Sequence, residues 1–356
     1  MKIGILTQPL LRNYGGILQN YALQTVLRKK GHKVWTFDLL KYTWKDLTIS
    51  AIKTIIKKMI GRKANFPLTP HQKKKIEKPL RTFVYNKINL TTRVKKVSWQ
   101  LVKKYNLDTL VVGSDQVWRP IYNHSIEDMF FRFADDKNIK KIAYSASFGT
   151  DKWEFSPKQT NECATLAKKF DAISVRESFG VELCKNYLGV EATHTLDPTL
   201  LLTDKDYNTL CKHIPKSEPF VFAYILDMDE RKVAEIKSFA QAKGLPYFIK
   251  SADNDVKDTD SIELWLSYFR DAAFVVTDSF HGTAFSINYN KDFFVFENRN
   301  RGNSRFESLL SLFDLNHRMV EKINANIKSI NWIEVNECLN NERVRCYEFI
   351  EKALNQ

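Results

Sequence analysis

Four short clusters in this 356-residue chain combine residue types that bind anions, move protons or hold sugars. The richest is Thr277-Asp278-Ser279-Phe280-His281-Gly282-Thr283, which follows the apolar residues 273–276 and opens a helical pattern. There Ser279, Gly282 and Thr283 would offer amides and hydroxyls to an anion at a helix N-terminus. His281 brings the side chain whose ordinary titration lies near neutrality, as general acid–base chemistry requires. The plain alternative has Asp278 or Ser279 capping the helix and His281 filling space.

The second cluster, Ser174-Val175-Arg176-Glu177, ends a strand-like run. Arg176 there suits a carboxylate or phosphate, or else pairs with Glu177 or another neighbour. The third, Asn13-Tyr14-Gly15-Gly16, is turn chemistry before a helix, with glycines that let backbone amides approach a ligand. It is not G-x-G-x-x-G, so a dinucleotide is not indicated. The fourth, Gly113-Ser114-Asp115-Gln116-Val117-Trp118, offers polar groups and an aromatic platform for a sugar, or forms an ordinary turn. P-loop, HExxH and GxSxG signatures are absent from the sequence, which removes three common enzyme classes.

These clusters need elements to position them. Residues 2–6 read as a strand, 17–30 as a helix closed by Gly31, and 34–37 as a second strand: a β-α-β unit and hence a parallel sheet. Further strands fit residues 109–112, 140–144 and 172–175, with helices at 158–169 and 177–187. After a break at Leu196-Asp197-Pro198-Thr199 the alternation restarts. Strands fit 220–226, 247–250, 273–277 and 293–296, and helices fit 229–243, 261–271, 280–289 and 304–313. Two such runs imply two doubly wound α/β domains facing a cleft, spanning about 1–195 and 196–330. Residues 331–356 form a helical tail that closes the second domain or crosses back to the first.

The net charge of +14 is concentrated. Residues 41–104 carry 18 Lys or Arg against Asp46 and Glu77, leaving the rest of the chain near neutral. Within this section Leu47, Ile49, Ile52, Ile55, Ile56, Met59 and Ile60 oppose Lys53, Lys57, Lys58, Arg62 and Lys63. That is an amphipathic helical pattern, suited to packing on the sheet or to an anionic membrane surface. The five cysteines are odd in number and lack a C-x-x-C pair, which argues against a zinc site or disulfide framework. No long apolar stretch reads as a signal peptide or membrane span, so a cytoplasmic protein is expected.

Five segments, in order, resemble the polysaccharide pyruvyl transferase family. They are Asn13-Tyr14-Gly15 with Leu18-Gln19-Asn20-Tyr21-Ala22-Leu23, then Gly113 to Trp118, Ser174 to Glu177, Leu196-Asp197-Pro198-Thr199-Leu200-Leu201, and Thr277 to Thr283. The resemblance implies a pair of Rossmann-like domains similar to the glycosyltransferase-B fold, phosphoenolpyruvate as donor, and no cofactor or metal. It implies a sugar acceptor of galactose or mannose type, linked to undecaprenyl diphosphate at the inner membrane face. His281 becomes the expected proton-transfer residue. Asn13, Tyr14, Gly15, Gly16, Gln19, Ser114, Asp115, Gln116 and Trp118 become the expected acceptor side. Some members carry Arg two residues before the histidine, where this chain has Ser279. The donor's anionic groups then need Arg176, Arg301 or Arg305 in addition to Ser279, Gly282 and Thr283.

Two other readings use the same residues. A nucleotide-sugar glycosyltransferase shares the expected architecture. A non-catalytic nucleic-acid-binding protein would use the basic section, but that section lacks interleaved aromatics and no binding motif is recognised, so nucleic acid is not expected.

Overall fold

The computed structural model describes residues 1–40, 69–123, 125–251, 259–297, 302–324 and 328–355. Strands β1 (Lys2–Leu6), β2 (Lys33–Thr36), β3 (Thr109–Val112), β4 (Lys140–Ala146), β5 (Ala172–Val175) and β6 (Thr193–His194) form one sheet, in the order β2-β1-β3-β4-β5-β6. Strands β7 (Val221–Ile225), β8 (Tyr247–Ser251), β9 (Phe274–Thr277), β10 (Asp292–Phe296) and β11 (Met319–Val320) form the other, in the order β11-β10-β9-β7-β8. All neighbours pair in parallel. β3 and β7 are buried at every position, which is why their sequences are continuously apolar instead of alternating. Each fully buried Val, Ile or Phe stabilises by roughly 1.5–3 kcal/mol.

Helices α1 (Tyr14–Lys29), α2 (Pro70–Lys87), α3 (Trp99–Lys104), α4 (Pro157–Ala167) and α5 (Phe179–Leu183) accompany the first sheet. After α6 (Asp204–Cys211) come α7 (Glu230–Ala242), α8 (Ile262–Asp271), α9 (Phe280–Asn288), α10 (Ser304–Leu312) and the long α11 (Trp332–Asn355). The alternation of the sequence thus becomes two parallel-sheet α/β domains. In each sheet the strand order reverses once, between β1 and β3 and between β7 and β9. Ligands of open parallel sheets gather at such reversals, beyond the carboxyl ends of the strands. α1 and the Gly113–Trp118 segment leave the first reversal, and α9 leaves the second.

Several local departures have physical causes. The residues Tyr14-Gly15-Gly16, expected as a turn, are the first turn of α1: Asn13 Oδ1 accepts from Gly16 N at 3.1 Å and caps the helix three residues early. The expected helix at 177–187 is α5 followed by a π-helical turn, Cys184–Leu188, closed by Gly189 at φ 64°. β6 and β11 span two residues each, too few to show any period in sequence.

Of the basic section, residues 69–104 are described, whereas the amphipathic stripe from Leu47 to Lys63 lies outside the described residues. α2 opens with a reciprocal capping box between Thr69 and Gln72. It buries Ile76, Leu80, Phe83 and Val84 and leaves Lys74, Lys75, Lys78 and Lys87 in solvent. Its Arg81 is buried, bonded through both terminal nitrogens to Asp38 at 3.1 and 2.8 Å and to the Leu10 carbonyl.

α11 crosses between the domains. Arg343 Nε donates to the Leu200 carbonyl at 2.7 Å and Tyr347 Oη to Leu201 at 2.7 Å. Near the helix end Lys140 Nζ, on β4, donates to the Leu354 carbonyl at 2.6 Å. A single apolar cluster runs through α1, α8, α9 and α11 and joins the two sheets.

Candidate active site

α9 begins immediately beyond β9. Ser279 is its N-cap: the side chain accepts from Gly282 N at 3.3 Å, and its own N–H donates to Thr277 Oγ1 at 3.0 Å. Gly282 is required by this packing, because a Cβ there would stand 2.3 Å from Thr277 Oγ1. Thr283 N–H and Oγ1 both donate to the Ser279 carbonyl. Among the described residues, the N–H groups of Phe280 and His281 have no acceptor, so they remain available at the positive end of the helix.

His281, in the first turn of α9, reaches across to the first domain and is 7% exposed. Its ring lies against α1 at Gly15, where a Cβ would come within 1.9 Å of His281 Nδ1. That contact explains a glycine inside the first turn of a helix, where it costs about 1 kcal/mol relative to alanine. His281 Nε2 stands 3.6 Å from Asp197 Oδ2 and has no hydrogen-bond partner among the described residues.

Asp197, 2% exposed, is the hub of the site. Oδ1 accepts from Thr199 N and Oγ1 at 2.9 and 2.7 Å; Oδ2 accepts from Arg176 Nη1 at 3.1 Å and Ser114 Oγ at 3.2 Å. Burial alone would push its carboxyl up, but His281, Arg176 and the Thr199 amide together hold it well below the usual carboxylate range. It is a fixed negative charge that gives the His281 ring a counter-ion when protonated.

Arg176 is 4% exposed and spends its donors inside the protein. Nε donates to Glu177 Oε1 at 2.9 Å, Nη1 to Asp197, and Nη2 to Ser147 Oγ at 3.1 Å, while Asp115 Oδ1 lies 3.9 Å from Nη1. Its guanidinium lies 4.1 Å from the centre of the Phe280 ring. Burial opposes its charge, yet Glu177, Asp197 and Asp115 raise its pKa above the ordinary arginine value. Of the two sequence readings of Arg176 the structure shows the pairing: it bonds Glu177, at the domain interface and beneath Phe280.

Arg305, on the first turn of α10, differs. It is 8% exposed, its Nε has no partner, and no carboxylate pairs with it among the described residues. Burial first, and the nearby Arg176 charge second, push it down to about 10. Arg301 lies outside the described residues.

On the first-domain side, Asn13 is exposed and its Nδ2 donates to Asp115 Oδ2 at 3.1 Å, while Asp115 Oδ1 accepts from Gln116 N. Asp115 adopts φ 68°, and Gln116 is half-buried with Oε1 accepting from Arg119. Four expected acceptor residues are placed differently. Trp118 is a core residue, fully buried and stacked 4.6 Å from Phe130, with Nε1 bonded to the Met129 carbonyl. It is no open platform. Gln19 is also fully buried; its amide ties Thr7 and the Gly16 carbonyl to the Ser114 N–H. Ser114 is buried against Ser145 and Asp197. Tyr14 stacks on Trp265 at 5.2 Å and donates to the Asp260 carbonyl, joining the domains. All four shape the site from behind, since their polar atoms are satisfied by the protein itself.

Sequence reasoning missed Asp197 and Ser147 as site residues. Asp197 had a signal, a lone carboxylate between Leu196 and Pro198 where the first alternating run ends, while Ser147 had none.

Gly15→Ala is expected to lower turnover at least about 100-fold by displacing the His281 ring. Stability should fall by about 1–3 kcal/mol from the overpacking, reduced by the better helix propensity of alanine; that fall is too small to account for the loss of turnover at temperatures well below melting. Activity and melting temperature measured on one preparation check this; full activity would show that the ring position is not needed.

A family model described as polysaccharide pyruvyl transferase matches residues 13–300. No curated protein sequence matches the chain. Solved structures similar in fold include S. aureus MnaA with UDP, at 11% identity over 99% of this chain and 91% of that one, with TM-score 0.45. The UDP-GlcNAc 2-epimerase of Neisseria meningitidis bound to UDP-GlcNAc is 9% identical over 99% and 94%, with TM-score 0.48. The spinosyn rhamnosyltransferase SpnG with thymidine diphosphate is 8% identical over 100% and 96%, with TM-score 0.38. The family match covers well over half of the chain, with Gly15, Arg176, Asp197 and His281 inside it: this chain belongs to the polysaccharide pyruvyl transferase family.

Proposed function

We propose that the chain moves pyruvate from phosphoenolpyruvate to two hydroxyls of a sugar, forming a cyclic ketal and releasing phosphate. The observation that carries this is His281: a buried imidazole with an unbonded Nε2, an ionised Asp197 behind it, and unpaired helix N–H groups beside it. Proton transfer from the ring to the methylene carbon makes C2 of the donor electrophilic. A sugar hydroxyl attacks C2, the phosphate departs with the bonding pair of the C2–O bond, and a second hydroxyl closes the ketal. Of the two hydroxyl protons released, one restores the ring and one leaves with phosphate. The N-terminus of α9 and Arg305 would hold the donor's anionic groups, with Arg301 as a further candidate. Arg176 would act from beneath, fixing Asp197 and Phe280. Asn13 and Gln116 are the acceptor-side candidates that remain near the rim, with the buried Asp115 bonded to both.

Phosphate release from phosphoenolpyruvate is expected only with a matching acceptor among galactosyl, mannosyl and glucosyl sugars. A ketal mass gain on that sugar supports the reading. No release from any of them, together with thermal stabilisation by a nucleoside diphosphate but not by phosphoenolpyruvate, would instead favour the nucleotide-sugar transferase.

The acceptor in this reading is a sugar carried on undecaprenyl diphosphate, and the basic section docks the enzyme on anionic lipid. Among the described residues no helix is long and apolar enough to cross a membrane. The exposed Lys74, Lys75, Lys78 and Lys87 of α2 extend the sequence's cationic run onto a folded surface. Cosedimentation with phosphatidylglycerol vesicles should be lost when Lys53, Lys57 and Lys58 are changed to Glu. Equal binding of both forms, or of neither, rejects the docking.

A further inference from the structure

Trp118, expected as an aromatic platform, is locked in the core, but its loop carries another aromatic four residues on. Tyr122 ends a short 3-10 turn, Pro120–Tyr122, and is 51% exposed; beside it Ile121 is 58% exposed. A scattered apolar residue on a surface needs no explanation. This ring, however, stands on a built shelf.

Arg119 lies over the Tyr122 ring, 5.4 Å from its centre. The guanidinium is itself fixed: Nε and Nη2 each donate to Glu154 at 2.9 Å, and Nη1 donates to Gln116 Oε1 at 3.1 Å. Asn123, 8% exposed, anchors the turn. Its Nδ2 donates to the Val117 and Arg119 carbonyls at 2.9 and 3.3 Å, and its Oδ1 accepts from Gln8 Nε2 at 3.1 Å. A platform held this way loses little freedom when a ligand stacks on it.

The shelf adjoins the catalytic cluster. Gly149 packs on it, since a Cβ there would stand 2.2 Å from Gln116 Oε1 and 2.9 Å from Arg119 Cδ. The Gly149 N–H donates to Ser147 Oγ, the same hydroxyl that accepts from Arg176 Nη2. Across the cleft, burial and Arg176 chiefly lower the Arg305 pKa, and the Arg119 charge adds to that, so the loop stands near α10.

The shelf's chemistry selects among ligands. Its one cation, Arg119, is spent on Glu154. It still offers an aromatic ring, the aliphatic Ile121 and the Gln116 Nε2 donor, which has no partner among the described residues. A pyranose, with an apolar C–H face and hydroxyls at its edge, matches that set; a phosphate, which needs an unpaired cation, does not. We infer that Tyr122 is a stacking platform for an uncharged pyranose ring, with Gln116 Nε2 donating to one of its hydroxyls. That this ring belongs to the pyruvyl acceptor rests on the reading above; the sugar site itself does not.

Saturation-transfer difference NMR on the full chain tests this with methyl galactoside, methyl mannoside and methyl glucoside. At least one of the three should bind the wild type, with the strongest transfer at its ring C–H protons. Tyr122→Ala should weaken that binding roughly tenfold, the scale of an aromatic contact. Tyr122→Phe, which keeps the ring, should recover it. Because the side chain is half-exposed, both variants should melt with the wild type, which separates lost stacking from lost folding. In turnover the loss should fall on the acceptor KM and not on the donor KM. Binding of none of the three sugars by the wild type, or equal binding by Tyr122→Ala, overturns the proposal. If a sugar binds through Tyr122 yet phosphoenolpyruvate releases no phosphate in its presence, the sugar site stands and the pyruvyl-transfer reading falls.

Discussion

Replacing His281 with alanine is expected to lower turnover by roughly 10²–10⁴-fold, the usual contribution of a positioned general acid–base group. The affinity for the donor should change far less, because the proposed anion contacts are the α9 amides and Arg305, not the imidazole. The loss should appear in kcat at saturating phosphoenolpyruvate. The geometry supplies a sharper control. His281 fills the space over Gly15, so the alanine variant opens a pocket lined by that glycine and by Asp197. Added imidazole should enter it and restore part of the rate, increasing with the imidazole concentration. A structural histidine would give a variant with a lowered melting temperature and no rescue. Full turnover at saturating substrates would remove His281 from the chemistry altogether.

The second large effect is expected at Asp197. Changing it to asparagine leaves Arg176 Nη1 without its carboxylate while Thr199 and Ser114 lose a charged acceptor. Breaking a buried pair from one side costs about 3–5 kcal/mol. Because Glu177 still holds Arg176 Nε at 2.9 Å, the lower end of that range is expected at neutral pH. The pH dependence has a definite sign. The Asp197 carboxyl is held below its unfolded value, so its stabilisation is fully present above about pH 4 and is lost as pH falls toward the folded pKa. The stability gap between wild type and Asp197→Asn should therefore be constant from pH 5 to 8 and narrow in acid. Denaturant unfolding of both proteins at pH 7 and pH 3 reads the gap directly. A gap that widens in acid would show that Asp197 is stabilised as the neutral acid. Activity should fall as well, since the His281 ring loses the carboxylate that stands 3.6 Å from its Nε2.

By itself the sequence determined the two-domain parallel architecture, because strands covered on both faces must be continuously apolar and their helices must be amphipathic. Residues 109–112 and 274–277 were legible for that reason. It also placed the Asn13, Ser114-Asp115, Arg176 and His281 clusters beyond the carboxyl ends of strands, where polar residues after an apolar run are local signals. Burial was not legible. Trp118 and Gln19 have the composition of sugar-binding residues, yet a tryptophan is as suited to stacking on Phe130 as on a sugar, and only the packed core decides which. The glycine of α1 likewise read as turn chemistry, whereas its cause is a histidine 266 positions later that must lie against the helix. Asp197 became a site residue only in three dimensions, because four donors and an imidazole converge on it; Arg305 was named through the resemblance, but only the fold shows that no carboxylate among the described residues pairs with it. Whether a buried charge is paired depends on contacts from segments distant in sequence, and those contacts exist only in the folded chain.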